Sequence, residues 1–162
     1  MELHIGLEDI AVAKSAISYA NGEKGELIYR GWWAGELALE KSYEEVVHLI
    51  MIGTLPNAQE LTQFRNQLIA LRNIDQSTKT LIESLPREAT DMAALRSVIS
   101  SMSLAGESWP PTNDQALAIF AKAPTIIAYR YRWLNNLKPV EPKAGLFHIE
   151  NYLYMEGRAV PY

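Results

Sequence analysis

The stretch Ser42-Tyr43-Glu44-Glu45-Val46-Val47-His48-Leu49-Ile50-Met51-Ile52-Gly53 predicts a helix whose two ends are both marked in the sequence. Ser42 and Glu45 have the spacing of a capping box, in which each side chain satisfies a backbone N–H of the other residue. Apolar residues fill most positions from Val46 to Ile52, so we expect most of the helix circumference to be buried. Gly53 can adopt the left-handed backbone conformation that commonly ends a helix. A buried, capped helix at this point indicates a helical fold.

Further helix patterns follow on the C-terminal side. Asn57 with Glu60 marks a second helix start, Pro86 ends a short helix, and Thr90 can cap the next one. Pro124 lies inside the longest pattern, where the missing N–H and a steric clash predict a kink or a break into two helices. The predicted helices are 57–71 with the stripe Leu61, Phe64, Leu68 and Leu71; Ser77 to Leu85; 90–102 with the stripe Met92, Leu95, Val98, Ile99 and Met102; Asn113 or Asp114 to about Asn135, after a stiff loop from Ser108 to Thr112; and Phe147 to Met155, after a loop from Lys138 to Gly145.

On the N-terminal side the pattern changes to short strands. Lys14 to Tyr19 alternates weakly, and Glu26 to Arg30 contains three apolar or aromatic residues. Asn21-Gly22 lies between them, and this dipeptide accepts a positive φ at low steric cost, which favours a tight hairpin turn. The sequence therefore predicts a mainly α fold with an N-terminal β-hairpin.

Length and composition restrict the class of protein. With 162 residues the chain corresponds to about one domain, and no linker divides it. A net charge of −4 argues against binding nucleic acid through phosphate neutralisation. The absence of cysteine excludes disulfides, thiolate nucleophiles and Cys-ligated metals. We expect no membrane span, since no apolar run reaches about 18 residues, no secretory signal at Met1–Gly6, and a cytoplasmic location.

Chemistry-bearing motifs are sparse. No phosphate-binding glycine loop is present, and His4, His48 and His148 lie far apart without metal-ligand spacing. We interpret His48 as a core histidine bonded to a backbone carbonyl, because a catalytic role needs a carboxylate or substrate within reach.

Two other groups of residues suggest sites that we do not assign. Tyr129-Arg130-Tyr131-Arg132-Trp133 mixes cations and aromatics as single-strand nucleic-acid binders do, but on a helix these side chains fan around the axis. We therefore expect aromatic packing with arginines that extend their charged heads to solvent. The side chains of Glu44 and Glu45 point in different directions on a helix, and their negative charges are favourable near its N-terminus. Glu8-Asp9 supports no assignment.

Five segments carry more specific information than periodicity alone. They are Gly6–Ile10 with Ala16–Ser18 and Asn21–Gly31; Ser42–Pro56; Met92 with Leu95-Arg96; Ala123–Arg130; and Glu150–Met155 with Gly157 and Pro161. In this order they closely resemble the bacterial citrate synthase family, whose patterns include "I-S-x-I-D-G-E-x-G-x-L-x-Y-R-G", "S-F-E-E-V-A-Y-L-L-L-x-G-x-L-P" and "E-N-F-L-Y-M-x-x-G-x-x-P". The resemblance runs from about Gly6 to Pro161. It departs from the family at Asn21, which replaces the usual Asp, and at Trp32–Gly35.

The resemblance implies an acyltransferase that condenses acetyl-CoA with oxaloacetate. The family's catalytic histidines and aspartate lie in motifs that follow the last helix predicted here, so the resemblance assigns no catalytic, cofactor-binding or metal-binding residue among residues 1–162. These residues correspond to the N-terminal portion of the large helical domain, without the small domain. We expect an inactive part of a citrate synthase, no cofactor, and association as a homodimer or with the missing C-terminal part. The alternatives are a 2-methylcitrate synthase and a non-catalytic helical interaction module.

Overall fold

The computed structural model describes residues 13–102 and 110–159. Within them, three short strands and seven helices follow one another along the chain. The mainly α fold with an N-terminal hairpin is therefore confirmed. Packing divides the chain into two compact units, Met1–Pro56 and Asn57–Tyr162.

The first unit contains the predicted hairpin. Strands β1 (Ser18–Asn21) and β2 (Glu26–Tyr29) pair antiparallel, and Asn21 opposite Glu26 is the last pair before the turn. A short strand β3 (Trp32–Trp33) adds to β2.

Two details of the predicted hairpin are wrong. Strand β1 begins at Ser18 instead of Lys14, and the connection is a four-residue loop instead of a two-residue Asn-Gly turn. The positive φ of 65° falls at Gly25 and not at Asn21-Gly22. Because Asn21 still belongs to the ladder, the chain turns after it, and the Lys24 N–H closes the loop on the Asn21 Oδ1 at 3.1 Å.

Helices α1 (Ala34–Glu40) and α2 (Tyr43–Ile52) complete the first unit. The capping box of α2 is confirmed: the Ser42 N–H donates to Glu45 Oε2 at 2.8 Å, and Gly53 ends the helix with a φ of 110°. Glu44, Val47, His48 and Leu49 are buried, and the Ile52 side chain in the last turn is 53% exposed. Between Tyr43 and Ile52, the two exposed ends, every residue of α2 is buried or half-buried. The predicted burial around most of the helix circumference is therefore confirmed.

The second unit consists of helices α3 (Ala58–Leu71), α4 (Gln76–Ser84), α5 (Asp91–Ser101), α6 (Asn113–Leu134) and α7 (His148–Glu156). The long helix α6 contacts each of the other four. A core cluster of Ile74, Ile82, Val98 and Ile126 joins α4, α5 and α6. Oxygen-bearing side chains cap α3 to α6 at Asn57, Asp75, Thr90 and Thr112.

Several predictions for this unit need correction. Of the two outcomes predicted at Pro124, a kink or a break into two helices, the break is excluded because α6 runs through Pro124 as one helix; packing on several sides offsets the one backbone bond that proline removes. Met92 is 70% exposed and does not belong to the buried stripe of α5. Helix α4 begins at Gln76, one residue before the predicted start, because the Asp75 side chain caps it. Phe147 precedes α7 as its N-cap residue. Ser108 and Trp109 of the predicted stiff loop lie outside the described residues.

Among the described residues, no helix combines the length and the apolar character needed to cross a membrane.

Candidate functional site

A polar cluster of the second unit lies where the start of α5, the second half of α6 and the end of α7 meet. It consists of Asp91, Arg130, Tyr152, Glu156 and Arg158, and we call it the Arg130 cluster. Helix α6 places Arg130 on its buried side, while Tyr152 and Glu156 are one turn apart on α7 and share a face.

Arg130 occupies the centre of this cluster and is 1% exposed. Its Nη2 donates to the carbonyl oxygens of Pro86 at 2.9 Å and Ala89 at 2.7 Å, in the turn between α4 and α5. Its Nε lies 3.8 Å from Asp91 Oδ1. Within the described part of the chain, Nε and Nη1 donate to no hydrogen-bond acceptor. The guanidinium therefore fixes the turn that leads into α5.

Tyr152 and Glu156 form the second half of the cluster. The Tyr152 hydroxyl donates to Glu156 Oε1 at 2.5 Å, and Arg158 Nε lies 2.6 Å from Glu156 Oε2. Burial, followed by the hydrogen bond and negative charge of Glu156, raises the pKa of Tyr152 to about 12. The phenol is therefore a hydrogen-bond donor at neutral pH and a poor proton acceptor.

The charges of the Arg130 cluster balance, since two carboxylates face two guanidinium groups. A group suited to general acid–base work would have a pKa near neutrality, and Tyr152 has the opposite shift. The arrangement joins three helices and carries no nucleophile activated by a base. We interpret it as a structural joint.

A second buried arginine, Arg72, performs a similar task at the other end of α7. Its guanidinium donates to the carbonyl oxygens of Leu146 at 3.0 Å and Lys143 at 2.5 Å, which lie in the loop before α7. The Asn151 side chain accepts the Lys143 N–H at 2.8 Å. Burial lowers the pKa of Arg72. The loop is thus held by charge-assisted bonds to backbone carbonyls.

The histidines that the sequence offered as candidates serve as packing residues where they are described. His48 is buried in the first unit, and its Nδ1 lies 2.8 Å from the Thr54 carbonyl oxygen, which confirms the predicted backbone contact. His148 is buried in the second unit and stacks on Phe120 with ring centroids 4.8 Å apart. His4 lies outside the described residues. Across residues 13–102 and 110–159, no three potential metal ligands converge.

The aromatic and basic segment 129–133 fans around α6 as predicted. The Tyr129 hydroxyl donates to Glu83 at 2.5 Å, and Trp133 packs under the Arg87 guanidinium at 4.8 Å. Arg130 is fully buried, so the prediction that its charged group extends to solvent is wrong. The side chains point to different neighbours and form no continuous stacking platform for bases.

Of the acidic pairs, Glu44 is buried near the start of α2, and Glu45 belongs to its capping box. Glu8 and Asp9 lie outside the described residues. Sequence reasoning missed Arg72 and the burial of Arg130, since neither carries a local motif. Burial of an arginine depends on carbonyl oxygens that lie far away in sequence, at separations of 41 to 74 residues here.

Among the described residues, a three-stranded sheet is followed by seven helices, and four of these helices pack against α6, which defines a mainly α fold. The family model described as citrate synthase, C-terminal domain, matches residues 6–161. The chain belongs to the citrate synthase family.

Individual relatives agree with this assignment. The chain is 37% identical to a citrate synthase of Haloferax volcanii, over 95% of this chain and 43% of that protein. It is 34% identical to a 2-methylcitrate synthase of Mycobacterium tuberculosis, over 96% of this chain and 40% of that protein.

The fold agrees with a solved structure as well. A Thermoplasma acidophilum citrate synthase, in complex with carboxymethyl coenzyme A and oxaloacetate, matches with a TM-score of 0.85 and 26% identity. The match covers 99% of this chain and 44% of that one. The 162 residues thus span less than half the length of the relatives that they match.

Proposed function

We propose that residues 1–162 form the helical scaffold of a citrate synthase that condenses acetyl-CoA with oxaloacetate, and that they catalyse no reaction by themselves. Family membership over residues 6–161 is the observation that carries the proposal. The role of the described histidines supports it, since His48 contacts a backbone carbonyl and His148 stacks on Phe120.

The direct test is release of free CoA from acetyl-CoA and oxaloacetate by the pure 162-residue chain. We expect no turnover above the background of a heat-inactivated sample. A full-length relative such as the Haloferax volcanii enzyme serves as the positive control. Clear turnover by the 162-residue chain would contradict the proposal that it is inert. We expect no cofactor requirement, since acetyl-CoA enters as a substrate, and the cytoplasmic location stays a prediction from the sequence.

A second acyl donor is favoured by one comparison. The 34% identity to a 2-methylcitrate synthase is close to the 37% identity to a citrate synthase, so propionyl-CoA is the alternative substrate of the whole enzyme. Measuring kcat/KM of the complete enzyme with acetyl-CoA and with propionyl-CoA distinguishes the two, because selectivity is the ratio of these values.

We further propose that this scaffold associates with a second copy or with the rest of a citrate synthase chain. An apolar groove of about 510 Å³ follows the exposed side of α5, and its lining includes Met92, Leu95 and Ile99. Met92 projects with 70% of its surface exposed. Exposed apolar surface of this kind marks interaction sites, and burial of the Met92 side chain contributes about 1.5–3 kcal/mol.

Light scattering coupled to size exclusion tests the association. We expect an oligomer whose population falls in Met92→Lys, because burying the charged ammonium group of lysine in an apolar contact is energetically unfavourable. Arg87→Ala, at an exposed position away from the groove, is the control and should leave the oligomer unchanged. A protease-resistant monomer at all concentrations would instead favour the independent interaction module.

A further inference from the structure

The tip of the β1–β2 hairpin combines an asparagine, a glycine and an open backbone. Asn21 is the last residue of β1, and the loop residues Gly22 to Gly25 are all exposed. A Cβ placed on Gly22 would meet no heavy atom within 4 Å, so the space beside the Gly22 backbone is open. Asn21-Gly22 is the single Asn-Gly dipeptide in the 162-residue sequence.

We propose that Asn21 is a site of spontaneous deamidation. The Gly22 backbone nitrogen loses its proton to water and attacks the Asn21 side-chain carbonyl carbon. A C–N bond forms, the bond to the side-chain nitrogen breaks, and ammonia leaves, which produces a cyclic imide. Water then opens the imide at either carbonyl and gives aspartate or isoaspartate. Glycine favours the ring closure, because it has no Cβ to obstruct the approach and its backbone is permissive.

The hydrogen bonds of Asn21 are compatible with this reaction. Its Oδ1 accepts the Lys24 N–H at 3.1 Å, which polarises the carbonyl carbon that is attacked. Its Nδ2 donates to the Tyr19 hydroxyl at 3.3 Å. Both bonds are solvent-exposed, and an exposed hydrogen bond stabilises by only about 0.5–1.5 kcal/mol. They restrain the side chain weakly in comparison with a buried network.

Either product changes the end of the hairpin. Asn21 lies directly opposite Glu26 in the ladder, so aspartate at position 21 places two carboxylates across from each other, and like charges in such a pair are destabilising. Isoaspartate carries the main chain through the former side chain and adds one atom to the backbone, which breaks the last register pair. One negative charge is added to the net charge of −4.

Peptide mass spectrometry of the full 162-residue chain, incubated at mildly alkaline pH and digested at acidic pH, tests the proposal. We expect Asn21 to convert to a mixture of aspartate and isoaspartate at least roughly tenfold faster than Asn66, which is exposed on α3 and is followed by Gln67. Fragmentation that distinguishes the two isomers identifies the imide route, and Asn21→Asp provides the authentic aspartate standard.

The matched variant is Gly22→Ala. Its Cβ meets open space and the residue has no positive φ, so the variant keeps the hairpin. We expect the conversion of Asn21 to slow by roughly tenfold, because the methyl group obstructs the attack of the nitrogen. The proposal is overturned if Gly22→Ala converts as fast as the parent chain. It is equally overturned if Asn21 converts no faster than Asn66, or if conversion occurs only after unfolding in urea.

Discussion

At the scale of single residues, Arg130 shows how a charged side chain can act as a core residue. The guanidinium replaces its hydration by two backbone carbonyls from the turn before α5 and by the nearby Asp91 carboxylate. A buried charge is tolerated only with such partners. In the sequence, Arg130 is one of two arginines in an aromatic run, and the run itself does not show which of them is buried. The burial of Arg130 depends on the turn that packs against it.

We predict that Arg130→Ala lowers the free energy of unfolding by about 3 kcal/mol, because the Pro86 and Ala89 carbonyl oxygens lose their buried donor. Urea unfolding followed by circular dichroism measures the change. The control is Lys138→Ala at an exposed position after α6, where the loss should stay within about 0.5 kcal/mol. Equal stability of the two variants would show that Arg130 is not a structural joint.

The raised pKa of Tyr152 predicts that the stability of the fold depends on pH in the alkaline range. Its pKa is about 12 in the folded protein against an ordinary value of 10.0, so the folded state holds a proton that the unfolded state releases. The associated stability is complete below pH 10 and is lost as the pH rises towards 12. The free energy of unfolding should therefore decline less steeply over this range in Tyr152→Phe than in the parent chain.

The comparison needs a phenol outside the Arg130 cluster. Tyr131→Phe, at a partly exposed position on α6, makes the same chemical change there. Its stability should follow the parent chain through the alkaline range. If Tyr152→Phe and the parent chain show the same decline, the hydrogen bond to Glu156 does not hold the phenol proton.

At the scale of elements, the ends of the helices are determined locally. Gly53 ends α2 with a φ of 110°, a region that residues with a Cβ rarely adopt. A Cβ at Gly53 or at Gly22 would meet no heavy atom within 4 Å. The two positions therefore differ in backbone conformation and not in available space.

We predict that Gly53→Ala lowers the free energy of unfolding by about 1–2 kcal/mol through backbone strain. Gly22→Ala, whose φ is not positive, should change it by less than about 0.5 kcal/mol. Thermal and urea unfolding of both variants measure the difference. Equal effects at the two glycines would contradict the assignment of the cost to the left-handed conformation.

The same locality explains which elements could be predicted from the sequence. Helix α2 was predicted with its observed bounds because Ser42, Glu45 and Gly53 mark both ends within twelve residues. Helix α1 and strand β3 were missed. Helix α1 has seven residues, and its N-cap residue Trp33 makes no side-chain capping bond. Strand β3 has two residues, which pair with β2. Such short elements depend on tertiary contacts rather than on sequence signals.

At the scale of the whole molecule, the sequence motifs identified the family before any residue could be assigned a chemical role. The polar joints at Arg72 and Arg130 link segments far apart in the chain, and a single sequence does not reveal such pairs. The catalytic groups of the family are expected, from the resemblance, in motifs other than the five found here. Residues 6–161 are the segment that the citrate synthase family model matches.

The most direct test of this account is citrate synthase turnover by a chimaera. Residues 6–161 replace the matching segment of the Haloferax volcanii enzyme, to which the chain is 37% identical. We predict free CoA release from acetyl-CoA and oxaloacetate by a chimaera of native size and helical content. We also predict that His48→Gln in the chimaera keeps this turnover, since the His48 Nδ1 lies 2.8 Å from the Thr54 carbonyl oxygen and we propose a structural role for the ring. A folded chimaera without turnover, or a folded His48→Gln chimaera that loses it, would contradict the claim that these residues are a catalytically silent scaffold.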